Sequence, residues 1–373
     1  MKKMLLLILS LSSLLFAGAQ TDTCKKCHPA IVEEFGSSMH KKSSVDDDKV
    51  HKAVWDKHPA RESGDYKCAN CHTPNIKKET AIKTDEVQQG FSCSSCHAIK
   101  DVELHAQENT NIYTSEEKTF FSAEAGREKE KVKYTHETSM LGLNKTTVGS
   151  PYHAIDYTNE KFYTGAVCMG CHSHKQNAEK FTICETDEKG AKDKKQNCIT
   201  CHMPKVQGSA TTIRMSEKHA FHGFAGARHK PEMLSKYVEL GFEKTANGFS
   251  VVVENKAPHN LMTHPLRVVQ LRVNLIREGK TMALQTQTFV KVLGRDNAPS
   301  MPWTANAVLE DTMIKSEEKR VINYSNALLA KDKIEVQLGF YVVNPKALKG
   351  LNLDGDKELK AFTILKDKYF TVE

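Results

Sequence analysis

The chain has 373 residues, a formal net charge of +7, eleven cysteines and seventeen histidines. Beyond Phe16 no stretch is apolar enough to cross a bilayer, which excludes a helical membrane domain in the mature chain and predicts a soluble protein. Eleven cysteines in an exported chain would ordinarily signal disulfides. Here ten of them fall in pairs that a histidine follows, which points to a different chemistry.

The N-terminus carries Lys2 and Lys3, an apolar run from Leu5 to Phe16, and Ala17-Gly18-Ala19 in the A-x-A form of a cleavage site. This predicts a secretory leader over residues 1–19, removed before Gln20.

Five copies of Cys-x-x-Cys-His follow: Cys24–Cys27–His28, Cys68–Cys71–His72, Cys93–Cys96–His97, Cys168–Cys171–His172 and Cys198–Cys201–His202. The residue frequencies predict about 0.015 copies by chance. Each reads as a covalent c-type haem site: two thiols add to the two vinyl groups of one porphyrin, and the adjacent histidine ligates the iron. Five haem c groups are therefore expected, with His28, His72, His97, His172 and His202 as proximal ligands. Haem c is attached outside the cytoplasmic membrane in bacteria, so the motifs and the leader agree on export, with the periplasm as the expected location. Cys184 is left over and reads as a buried thiol, or alternatively as one that oxidation could modify beside a haem.

The basic charge misleads. Loss of Lys2 and Lys3 leaves +5, and each bis-His ferric haem c adds about −1, or about −2 when reduced. The loaded protein is expected to be near neutral when oxidised and acidic when reduced, so nucleic acid is not an expected partner. The run Lys192–Lys195 reads as solvated surface or as local partners for propionates.

Past the last motif the pattern changes. Phe249–Val253, Leu266–Ile276, Gln285–Leu293, Arg320–Tyr324, Ile334–Val343 and Phe362–Val372 are β-rich, often alternating runs. Gly279, Gly294, Asn297-Ala298-Pro299, Asn344-Pro345 and Asp354-Gly355 punctuate them. The fold class is α+β, with a haem domain of short helices and long loops over residues 20–230 and an antiparallel β-sandwich-like domain over residues 231–373. The haem half has weak apolar periodicity, so porphyrins are expected to supply much of its apolar mass.

Twelve histidines lie outside the motifs, and four or five are expected as sixth ligands. His40 closes the segment Phe35–His40, His105 follows His97 by eight residues, and His153 precedes the fourth motif. His222 lies beyond the fifth motif, and His259 stands in Ala257-Pro258-His259-Asn260. His58, before Pro59, is a further candidate. Met39, Met140 and Met203 are alternatives that would raise a potential, though packing is their commoner role.

At these residues the chain resembles the multihaem cytochrome c-554/c-552 family. The resemblance rests on the first motif with Phe35–His40, the close motifs at Cys68 and Cys93 with His105, and Ile183–Thr186 leading to Cys198–Lys205 with its Cys-His-Met-Pro ending. More weakly, Pro258–Pro265 followed by Arg267, and the stretch Asp311–Arg320, are similar to elements of the C-terminal sandwich that many such cytochromes carry. The resemblance implies a periplasmic electron carrier whose partners are soluble or membrane-bound redox proteins, often with one haem that lacks a strong sixth ligand.

Three functions fit this reading. An electron carrier needs only the motifs and enough distal histidines. A reductase of nitrite, hydroxylamine or sulfite needs one open iron with polar groups nearby, for which His136, Tyr134, Tyr152, Tyr157 and Arg228 are available. The pentahaem nitrite reductases use Cys-x-x-Cys-Lys at the catalytic haem, and this chain has no such motif. A docking or filament module built on sheet edges is the third reading. The sequence leaves the oligomeric state open.

Overall fold

The computed structural model describes residues 21–64, 66, 68–74, 90–138, 145–186 and 189–373. The expected leader and Met140 lie outside these residues. Among the described residues no helix is long and apolar enough to cross a membrane.

The motif-bearing half is built from short helices. Pro29–Ser37 is nine residues long, begins on a proline suited to a first helical turn, and buries Val32 and Phe35. Lys49–Trp55 is capped by Asp48, whose carboxylate accepts from Val50 N and His51 N. The four-residue helices Ala60–Ser63 and Lys161–Thr164 stop at Gly64 and Gly165, both left-handed. Small sheets that the weak periodicity did not announce join the helices. Ile99–Glu103 pairs with Thr110–Tyr113, His174–Gln176 with Thr182–Glu185, and Lys205–Gln207 with Lys218–Ala220, all antiparallel.

The C-terminal half is antiparallel β-structure, and the whole is α+β. One sheet orders Val238–Thr245, Gly248–Asn255 and Lys319–Tyr324. A second orders Lys280–Ala283, Val268–Arg277, Lys333–Tyr341 and Thr363–Thr371, with Gln287–Phe289 also paired to Val268–Arg277. Strand alternation sends Val269, Leu271, Val273 and Leu275 inward, opposite Ile334, Val336, Leu338 and Phe340 of the neighbouring strand. These side chains share one core with Val238, Leu240, Phe249, Val251 and Val253 of the first sheet. Each fully buried side chain of this kind contributes about 1.5–3 kcal/mol.

The run Gln285–Leu293 is two strands rather than one. Val290 leaves the larger sheet and bonds Thr312, so Lys291–Arg295 continues in a separate small sheet with Ala298–Pro299 and Ala307–Asp311.

The halves interlock. Ala53 of the helix Lys49–Trp55 enters a second apolar cluster with Val343, Leu348, Leu351 and Leu359. Lys49 bridges Asp356 (2.5 Å) and Glu358 (2.9 Å), and Asn177 Nδ2 donates to the carbonyls of Pro302 and Ala305.

Candidate functional site

Each motif lies on about one turn of helix. His28 N bonds Cys24 O (2.9 Å), and His72 N bonds Cys68 O (3.0 Å). The third and fifth motifs are the helices Cys93–His97 and Cys198–His202, each opened by a reciprocal cap, Ser92 with Ser95 and Asn197 with Thr200. This winding puts the two thiols, three residues apart, on one face with the histidine beside the second. All eleven cysteines are free thiols, so the motif pairs are not consumed as disulfides.

The motif imidazoles are oriented by backbone carbonyls. Nδ1–H of His28 donates to Ala210 O (2.7 Å), that of His97 to Phe121 O (2.6 Å), and that of His202 to Ala225 O (2.6 Å). His72 donates to Ser43 O at 3.1 Å. A carbonyl only accepts, so Nε2 of these rings carries the lone pair, as a metal ligand requires. Burial pushes His72 down to about 3 and lowers His97, His172 and His202 as well, which keeps the rings neutral.

Four motif histidines face a second histidine. The ring centres of His28 and His153 are 6.2 Å apart, those of His97 and His222 6.3 Å, those of His202 and His259 6.1 Å, and those of His172 and His40 5.9 Å. An iron bound by two imidazole nitrogens at about 2 Å each sets ring centres roughly 6 Å apart. The residues therefore fit a bis-histidine metal at four sites. The interplanar angles are 30°, 17° and 21° at the first three pairs and 76° at His40–His172.

Each facing histidine is held locally. Glu34 Oε2 accepts from His222 N (2.8 Å) while Oε1 meets His219 Nε2 (3.0 Å), and His222 Nδ1–H donates to Ala220 O. Asn255 Nδ2 donates to His259 O, and His259 Nδ1–H to Asn260 O. His40 packs against Phe91 and Phe224, and among the described residues its buried Nδ1 has no hydrogen-bond partner. Burial pushes His40 to about 3 and His222 to about 4.

The second motif is built differently. His72 meets His51, a residue that sequence reasoning left among the unassigned histidines, at only 4.0 Å between ring centres. Both rings donate from Nδ1 to the same carbonyl, Ser43 O, and His51 Nε2 accepts from Tyr66 OH at 3.2 Å. The two rings lie beside one another and do not leave the spacing found at the other four pairs.

Two expected sixth ligands stand elsewhere. His105 is exposed in the turn between Glu103 and Thr110, where its Nδ1 accepts from Gln107 N. The strand Ile99–Glu103 carries the chain away from His97, so nearness in sequence does not become nearness in space. His58 stacks on Trp55, meets Trp303 edge-on and accepts from Ala60 N at its Nδ1. Met39 and Met203 are partly buried, and the partner at each of the four wide pairs is histidine rather than sulfur. The polar residues offered for a reductase do not converge: Tyr134, Tyr152 and His136 are exposed, Tyr157 contacts Arg127, and Arg228 bonds Asp48. Cys184 sits on a strand opposite Lys175, and burial pushes its thiol up, consistent with an inert group.

Motif cysteines also link one site to the next. The free thiol of Cys24 lies beside that of Cys93, that of Cys71 beside that of Cys171, and that of Cys168 beside that of Cys198. Gly165 makes the last approach feasible, since a Cβ there would lie 2.8 Å from Cys198 Cβ. Sites one and three, two and four, and four and five are thus neighbours, an order different from that along the chain.

Residues 23–98 match the model of the family described as cytochrome c554 and c-prime. No curated protein matches the chain. The fold is that of a penta-heme cytochrome c552 from Thermochromatium tepidum, with a TM-score of 0.71 at 20% identity, over 95% of this chain and 99% of that one. The family match spans the first three motifs, and the structural match extends the likeness in fold to nearly the whole chain.

Proposed function

We propose that the chain is an exported, periplasmic five-haem cytochrome that passes electrons between redox proteins. The observation that carries this reading is the set of four histidine pairs at 5.9–6.3 Å. The five Cys-x-x-Cys pairs would hold the porphyrins as thioethers, and His28, His72, His97, His172 and His202 would be the proximal ligands. His153, His222, His40 and His259 would be the distal ligands of sites one, three, four and five. When bound, each haem supplies a one-electron centre. The chain contributes fixed imidazoles on both sides and contacts between motif cysteines that set the sites side by side. The C-terminal half, read as a β-sandwich over residues 231–373, contributes His259 to the fifth site.

A second reading is favoured by the His51–His72 geometry. Site two would be the one iron without a strong sixth ligand, and small nitrogen or sulfur oxyanions would be its substrates. His51 and Tyr66, joined at 3.2 Å, would be placed to hold and move a proton there.

Haem content by the pyridine haemochrome method and low-temperature electron paramagnetic resonance (EPR) of the oxidised holoprotein test both readings. Five haems with at least four low-spin centres are expected, and fewer than four low-spin centres would refute the carrier assignment. One high-spin equivalent accompanied by turnover of nitrite, hydroxylamine or sulfite would establish the second reading.

A further inference from the structure

One amide side chain joins the third site to the fourth. The strand Ile99–Glu103 begins two residues past His97, and its partner Thr110–Tyr113 carries Asn111 opposite Val102. That hairpin is fastened to the fourth motif's helix, Met169–His172: buried Asn109 donates from Nδ2 to Met169 O at 3.1 Å. Asn111 Nδ2 in turn donates to Cys171 Sγ at 3.4 Å. The sequence makes room for this contact. A Cβ at residue 170 would collide with Asn111 Oδ1 and lie 3.0 Å from Nδ2, so Gly170, between Cys168 and Cys171, is what admits the amide. Asn111 Oδ1 is buried and has no hydrogen-bond partner among the described residues. A buried acceptor without a donor is costly, and leucine would fill a similar volume without that cost. What the amide adds is its N–H.

We propose that Asn111 donates to the thioether sulfur of Cys171 when haem is attached at site four, and that this donor raises the reduction potential of that site. The inference rests on the haem assignment above, but its test separates the two. A thioether sulfur has no hydrogen to give, so the amide presents Nδ2–H to it and not Oδ1. The positive end of the N–H dipole then faces a group joined to the porphyrin edge. It favours the reduced centre, which holds one more negative charge. The gain is modest, because the donor is neutral and bonds sulfur rather than an iron ligand. The hairpin that starts behind the proximal histidine of site three thus bears on the potential of site four.

The test is a redox titration of the holoprotein followed by EPR. The near-perpendicular rings of His40 and His172, at 76°, bring the iron dπ orbitals close in energy and give a low-spin signal of unusually large gmax, unlike the near-parallel pairs. That signal in the unaltered protein, with five haems, verifies the assignment, and its absence would overturn the assignment and the proposal together. In Asn111→Leu, which keeps the volume and removes the donor, its midpoint is expected to fall by at least a threefold change in the redox equilibrium, about 28 mV for one electron. Asn111→Asp, which sets an acceptor and a charge there, is expected to lower it further. Gly170→Ala, which displaces the amide, is expected to lower it in the same direction. The midpoints of the other low-spin signals are expected to hold. An unchanged large-gmax midpoint in Asn111→Leu, or an equal fall in every signal, would overturn the proposal. So would loss of the large-gmax signal in that variant, which would mean that the amide holds the site together rather than tunes it.

Discussion

Replacing His40 by alanine isolates one site by geometry. His40 faces His172 at 5.9 Å and 76°, while the other three wide pairs lie at 17–30°. The large-gmax signal of the oxidised holoprotein is therefore expected to vanish and one haem equivalent in five to become high-spin. The three rhombic low-spin signals are expected to persist. The lost ring also packs on Phe91 and Phe224 at 5.2 and 4.3 Å between centres, so the variant leaves a cavity and loses about 3 kcal/mol. Haem content stays at five because Cys168 and Cys171, not His40, would hold that group. Free imidazole is expected to enter the cavity and restore a low-spin centre. Persistence of the large-gmax signal in His40→Ala would refute the geometric argument, as would loss of more than one low-spin centre.

His105→Ala and His58→Ala are expected to leave all low-spin signals unchanged, read by the same spectroscopy, because His105 is exposed and accepts from Gln107 N while His58 packs against Trp55 and Trp303. Tyr66→Phe releases His51 Nε2 and is expected to change only the site-two signal, with its affinity for added cyanide shifted by spectral titration. Asp48→Asn keeps an oxygen that can cap the helix but removes the charge that meets Arg228 at 2.6 Å, and should cost about 3 kcal/mol in denaturant unfolding. Burial raises the Asp48 carboxyl, but Arg228 and the two backbone N–H groups outweigh it and hold the pKa below its ordinary value. Its contribution is thus complete above about pH 4 and lost as pH falls through the folded pKa, so the variant's deficit should shrink in acid. Leu338→Ala, at a fully buried position between two strands, should cost about 3 kcal/mol by the same unfolding measurement.

The motifs were legible because their chemistry is local: thiols three residues apart and an adjacent histidine fit one helical turn. His40, His153, His222 and His259, marked as candidates from their neighbours in sequence, are the residues the fold sets opposite motif histidines. His51 was passed over because its position depends on the shared carbonyl of Ser43, a contact with no sequence signature. His105, eight residues past His97, was marked as able to reach a neighbouring haem, and the structure has it exposed in the turn beyond an extended strand. In the β half, alternation marked Val268–Arg277 and Lys333–Tyr341 to within two residues at each end. Val238–Thr245 was missed because Gly241 and the charges Glu239, Glu243 and Lys244 dilute its pattern, although pairing with Gly248–Asn255 makes it a strand. Glu34 acts through His219 and His222, far away in the chain, so its role near the third site emerges only with the fold.

The engagement of Ala53 with Leu348, Leu351 and Leu359 bears on how the protein is made. A helix near the start of the chain finds its apolar seat only in residues synthesised near the end. The strand Thr363–Thr371, later still, completes the sheet that anchors the turn bearing His259 and Arg267. Thioether formation at the early motifs would proceed on an extended polypeptide, but the architecture around the later sites closes only once Thr363–Thr371 has been made. A chain truncated before residue 340 would then carry attached porphyrins without a finished scaffold, and quality-control proteases would be the first to register the difference.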